Sequence, residues 1–86
     1  MTNEDIVRIV NESFAAEFEI EEDKLVPEAN IKDDLGLDSL DIVDMIIVLE
    51  QAFAFKLPDR SAVATITTLG DLYVFIQKLK DEHVIG

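Results

Sequence analysis

The stretch Asp38-Ser39-Leu40-Asp41, continued by Ile42-Val43-Asp44-Met45-Ile46-Ile47-Val48-Leu49-Glu50-Gln51-Ala52-Phe53, decides how the chain is read. Asp38 stands three residues before Asp41, a short acidic form of the capping box, so a helix is expected to begin at Ser39. At 3.6 residues per turn Ile42, Met45, Ile46, Leu49, Ala52 and Phe53 fall on one stripe, the expected core face. The opposite stripe holds Leu40, Asp44, Ile47 and Gln51, with Asp41, Val43, Val48 and Glu50 at its edges. If the core takes the first stripe, Leu40 and Ile47 are left facing solvent among acids. Such a strip suits a partner that offers an apolar pocket ringed by Lys or Arg.

Upstream, residues 19 to 38 lose all periodicity. Acids cluster at Glu19, Glu21, Glu22 and Asp23, Pro27 interrupts the backbone, and Leu25, Val26, Ile31, Leu35 and Leu37 are the available anchors. A loop this long in a small domain either carries function or wraps the core, and Gly36 supplies the turn that ends it. Before the loop, Thr2 with Glu4 and Asp5 marks a helix start, the hydroxyl as cap and the carboxylates favoured by the positive end of the dipole. Ile6, Val7, Val10, Phe14 and Phe18 then recur at three- and four-residue spacing, which predicts a helix over 3–18.

Downstream, Leu57-Pro58-Asp59 closes the second helix region, and Asp59 is expected to cap a short helix over 60–64. Thr68 with Asp71 starts a last helix whose inward stripe is Leu69, Leu72, Tyr73, Ile76 and Leu79. No strand alternation and no repeat is seen, so the expected fold class is all-α, a small bundle of three main helices and one short one with a long loop between the first two.

Composition bounds what such a bundle can do. Eighty-six residues give one domain, 1–86, with a single core and little room for a catalytic cleft. The net charge is −12, and it is uneven: residues 1 to 44 hold fourteen acids and three bases, residues 45 to 86 five acids and four bases. That field opposes nucleic acid and anionic membrane surfaces, whereas a hydrophobic content of 49% is too high for a disordered acidic tail. No cysteine is present, which excludes disulfides, thiolate nucleophiles and Cys-ligated zinc. The acidic N-terminus lacks the apolar core of a signal peptide and no run approaches membrane-spanning length, so a cytoplasmic, monomeric protein is expected.

Catalytic motifs are missing. There is no Gly-rich phosphate loop, no G-x-S-x-G and no paired histidine, and the sole histidine, His83, reads as part of a fraying last helix. The acids Asp33, Asp34, Asp38 and Asp41 lack calcium-loop spacing and read as solubilising surface, with weak divalent binding left open and no metal site assigned. Ser39 is the hydroxyl that stands out. At the first turn of an acidic helix it is either an ordinary helix-start serine or a place where an attached phosphate is electrostatically tolerated.

The run Asp34-Leu35-Gly36-Leu37-Asp38-Ser39-Leu40-Asp41, the helix after it, Leu57-Pro58-Asp59 and Ile66-Thr67-Thr68-Leu69 together resemble the acyl carrier proteins of dissociated (type II) fatty acid and polyketide synthesis. The likeness covers nearly the whole chain in length, acidity and helix order. It implies an acyl-carrier-type four-helix bundle and no catalysis by the protein itself. It further implies that a phosphopantetheinyl transferase moves 4′-phosphopantetheine from coenzyme A onto Ser39, flanked by Asp38 and Leu40, and that the arm's thiol carries acyl groups as thioesters. The resemblance gives Leu40, Asp41, Val43, Asp44, Ile47 and Glu50 to the surface read by acyl-loading, synthase and acyltransferase enzymes with basic docking patches. It also makes Ile46, Leu49, Phe53, Leu57 and Ile66 candidates for an acyl cavity, equally readable as plain core.

The chain departs from the family pattern at Gln51 and Ala52, where more acids are common, and between Pro58 and Ile66, where the segment is one residue longer than expected and Asp59 is the only acid. A carrier serving a specialised lipid, polyketide or secondary pathway is one reading of these departures. A peptidyl or D-alanyl carrier, and an acidic helical interaction domain that is never modified, are the alternatives that Ser39→Ala and loading assays would separate.

Overall fold

A computed structural model describes residues 2–56 and 65–82. Its three helices are α1 (Asn3–Phe18), α2 (Ser39–Ala52) and α3 (Leu69–Asp81), with a 3-10 turn at Glu22–Lys24 inside the long loop. Among the described residues there is no strand, only an isolated antiparallel bridge between Asn30 and Thr68. The expected short helix over 60–64, its cap Asp59, and His83 lie outside the described residues. No described helix is long and apolar enough to cross a membrane.

Each helix starts where its cap dictates. Thr2, Asp38 and Thr68 hold extended backbone, and each side chain accepts from the backbone three residues on while Asp5, Asp41 and Asp71 reach back to the cap residue's own N–H. Two of the orphan donors at each N-terminus are thereby satisfied, and a carboxylate sits at the positive end of each dipole. α1 closes as Glu19 enters the left-handed region at φ 55°.

α1 packs against both α2 and α3. Ile6, Val10 and Phe14 of α1 meet Met45, Ile46, Leu49 and Phe53 from α2 and its end, and Leu69, Leu72, Tyr73 and Ile76 of α3. The core stripes read from the sequence hold with adjustments: Val7 and Phe18 of α1 and Ile42 of α2 are half-buried, and Ala52 is exposed. Ala52 sits in the last turn, where Phe53 fills the core in its place. On α3, Leu79 is likewise only half-buried.

The long loop wraps the core. Leu25, Ala29, Ile31 and Leu37 are buried in it, Leu35 is half-buried, and Val26, expected as an anchor, is exposed. The loop is fastened to the start of α3 by backbone bonds from Ile31 N to Thr67 O (2.9 Å), Leu69 N to Ala29 O (3.0 Å) and Gly70 N to Pro27 O (2.9 Å). A Cβ at Gly70 would stand 3.1 Å from Pro27 O, so this close approach depends on glycine.

Asn30 organises the second half of the loop. Its Oδ1 accepts from Lys32 N (3.0 Å) and Asp33 N (2.8 Å), its carbonyl accepts from Asp34 N and Leu35 N, and its own N–H donates to Asp34 Oδ2 at 2.7 Å. Gly36 then turns the chain at φ 70°, a conformation that costs glycine nothing, and delivers Leu37 to the core and Asp38 to its capping position. The loop thus brings Ser39 to a fixed place beside the entry of α3.

Candidate functional site: a serine at the start of α2

Ser39 is the first residue of α2 and is exposed. Asp38 Oδ1 accepts from both Leu40 N and Asp41 N at 3.0 Å, and Asp38 N donates to Asp41 Oδ2 at 3.2 Å. The capping work therefore falls to Asp38, and among the described residues no hydrogen bond occupies the Ser39 hydroxyl. A serine in the cap position itself would have its oxygen committed to the backbone. One residue later it is free to react.

Two hollows adjoin this hydroxyl. The larger, about 410 Å³, is lined among the described residues by Ser39, Ile42 and Met45 of α2, by Ile66 and Thr67 before α3, and by the loop from Asn30 to Asp33. The second is more open and lies between Lys32, Gly36, Leu37, Asp38 and Ser39. The walls of the larger one are apolar towards Ile31, Ile42, Met45 and Ile66 and polar at the Asn30, Lys32, Asp33 and Thr67 rim. Of the residues considered for an acyl cavity only Ile66 lines it. Ile46, Leu49 and Phe53 are buried in the core instead, and Leu57 lies outside the described residues.

The outer face of α2 continues from Ser39. Leu40 is 77% exposed, Val43 45% and Ile47 39%, and it is their grouping on one helix face that marks an interaction surface. Asp44 and Gln51 are exposed beside them, while Asp41, Val48 and Glu50 are half-buried at the edges. The helical wheel had this strip legible in the sequence. Sequence reasoning missed Asn30 and Lys32, whose place beside Ser39 depends on the loop's hydrogen bonds. Two of the acids near the site are engaged locally, Asp34 with Asn30 and Asp38 with Asp41, Asp33 lies at the rim of the larger hollow, and among the described residues no three acids or histidines converge as metal ligands.

Residues 8–76 match the family described as "Phosphopantetheine attachment site". Over 74 residues, 86% of this chain and 89% of the relative, it is also 39% identical to a protein named "Acyl carrier protein" from Syntrophobacter fumaroxidans. The chain belongs to the phosphopantetheine-binding acyl carrier protein family. This family consists of carriers, not enzymes, and their prosthetic group is covalent 4′-phosphopantetheine. The residues present fit that group: the carrier offers an exposed, uncommitted hydroxyl, a neighbouring hollow with both polar and apolar walls, and no thiol of its own to compete.

Proposed function

We propose that Ser39 is the attachment residue, and that the carrier presents acyl intermediates to synthase, loading and acyltransferase enzymes of fatty acid or polyketide type in the cytoplasm. The observation that carries the assignment is the free, exposed hydroxyl at the first position of α2, with capping duty taken by Asp38. In the transfer, Ser39 Oγ forms a phosphoester to the 4′-phosphate while the pyrophosphate bond of coenzyme A breaks. The adenosine bisphosphate leaves and the hydroxyl proton passes to a base of the transferase. When bound, the arm supplies a thiol that holds an acyl group as a thioester.

The remaining work is done by side chains of this chain. Asp38 fixes the helix start, and with it the direction in which Ser39 Oγ points. Leu40, Val43 and Ile47 offer apolar area to a partner, and Asp41, Asp44 and Glu50 draw partners with basic patches. The replacement of further acids by Gln51 and Ala52 supports a dedicated rather than a housekeeping set of partners.

Intact mass tests the assignment. Purified protein incubated with coenzyme A, Mg²⁺ and a promiscuous phosphopantetheinyl transferase is expected to gain one phosphopantetheine, and Ser39→Ala none. Gain by the alanine variant would move the site. No gain by folded wild type with several transferases would replace carriage by an unmodified interaction domain.

A further inference from the structure

Both hollows that adjoin Ser39 share one basic wall residue, Lys32. Among the described residues it is the only base lining either. Acids surround it in sequence, yet its ammonium makes no ion pair among the described residues. Asp34, Asp38 and Asp41 hold backbone N–H groups instead. The backbone on either side of Lys32 is held: Ile31 N donates to Thr67 O before it, and Lys32 N and Asp33 N both donate to Asn30 Oδ1. An exposed lysine side chain is therefore carried on held backbone beside the serine.

A phosphodiester on Ser39 adds a negative charge to the half of the chain that already carries fourteen acids and three bases. The start of α2 offsets little of it directly, because Leu40 N and Asp41 N are already bound to Asp38. Among the described residues Lys32 is the one positive group that lines these hollows, the larger of which it shares with Ile66 and Thr67, and Leu40, Val43 and Asp44 line neither. We propose that Lys32 is a positioning residue whose ammonium pairs with the phosphodiester on Ser39, drawing the root of the arm over the larger hollow and off the exposed strip of α2. This rests on the modification of Ser39 proposed above. The charge sign makes the role separable from partner steering, since removing Lys32 makes the surface more acidic and does not weaken attraction to basic enzymes.

The test uses the holo protein loaded from a coenzyme A analogue bearing a nitroxide on its thiol, with one-arm loading checked by intact mass. Paramagnetic broadening of amides is then compared between the hollow side, Ile66 and Thr67, and the strip side, Val43 and Asp44. Wild type is expected to favour the hollow side. Lys32→Gln should lower the hollow-to-strip ratio about two- to five-fold, the range an exposed ion pair supports, and raised salt should do the same to wild type. Lys32→Arg should restore the ratio, and unchanged amide shifts remote from the site confirm the fold. A loaded Lys32→Gln protein with the wild-type ratio overturns the role of Lys32 while leaving the carrier reading intact. Absence of loading in wild type overturns both.

Discussion

The hydroxyl of Tyr73 in α3 donates to Asn11 Oδ1 in α1, joining residues 62 positions apart, and Asn11 Nδ2 donates in turn to Leu25 O of the long loop at 3.4 Å. One amide thus ties two helices to the loop that carries Ser39 to its place. Burial pushes the Tyr73 hydroxyl above the ordinary tyrosine range, and the bond to Asn11 pulls it partly back. The two ends of this bond are not equivalent on deletion. Tyr73→Phe removes the donor with its ring intact and is expected to cost about 0.5–1.5 kcal/mol, whereas Asn11→Ala strands the hydroxyl and should cost about 1–3 kcal/mol. Urea midpoints of the two variants check the order, and a larger loss for Tyr73→Phe would contradict it.

The cap of α2 couples stability to the site. Asp38→Ala removes the acceptor for Leu40 N and Asp41 N and is expected to cost about 1 kcal/mol. Because those N–H groups lie in the turn that presents Ser39, loading by a transferase should slow by more than the stability loss alone explains at temperatures where the protein is fully folded. Asp38→Ser keeps an acceptor and should recover both. Equal loading rates for Asp38→Ala and wild type would separate the cap from the serine's presentation.

The helix starts were legible in the sequence because capping is local. Thr2 with Asp5, Asp38 with Asp41 and Thr68 with Asp71 each announce a boundary within four residues, and the stripes of α1 and α3 follow from spacing alone. Of the loop, the anchors Leu25, Ile31 and Leu37 and the turn at Gly36 were legible, but not its path. What fixes it is long-range: Asn30 bonded across its own turn, Ile31 paired with Thr67, and Gly70 closed onto Pro27. Val26 and Ala29 show the limit. Hydropathy favours the valine, yet the alanine is the residue buried against the core, because its carbonyl is held to Leu69 N. Ser39 and the exposed strip could be read from the wheel, whereas Lys32 and Asn11 become visible only once the loop is folded.

Acid should erode the caps of α1 and α3. The backbone N–H of Thr2 is the main influence holding Asp5 below the ordinary value of 3.8, and the backbone N–H groups of Thr68 and then Thr67 do the same for Asp71. A carboxyl whose folded pKa is depressed stabilises fully above its unfolded pKa and loses that contribution as pH falls through the folded one. The stability difference between wild type and Asp71→Asn should therefore stay constant from neutrality to about pH 5 and shrink below the unfolded value. Relief of self-repulsion among the nineteen acids acts on both proteins alike, so the difference isolates the cap. Urea titrations at stepped pH measure it, and a difference undiminished in strong acid would show that Asp71 acts by hydrogen bonding in either protonation state.

The polarised charge makes a kinetic prediction about the strip. Asp44 is exposed beside Val43 and Ile47, and Glu50 is half-buried at the strip's edge, about one and two-thirds turns further along the same helix. Asp44→Lys combined with Glu50→Lys removes two acids and adds two bases without touching the core stripe. Association with a basic transferase should slow on the order of ten-fold at low salt, and the gap should close as the Debye length falls to about 10 Å and below. Ile47→Ala acts differently: it removes docking area and should raise the dissociation rate at every salt concentration while leaving association little changed. Stopped-flow loading across a salt series distinguishes the two. A charge reversal that leaves association unaltered at low salt would mean that partners read some other face of the carrier.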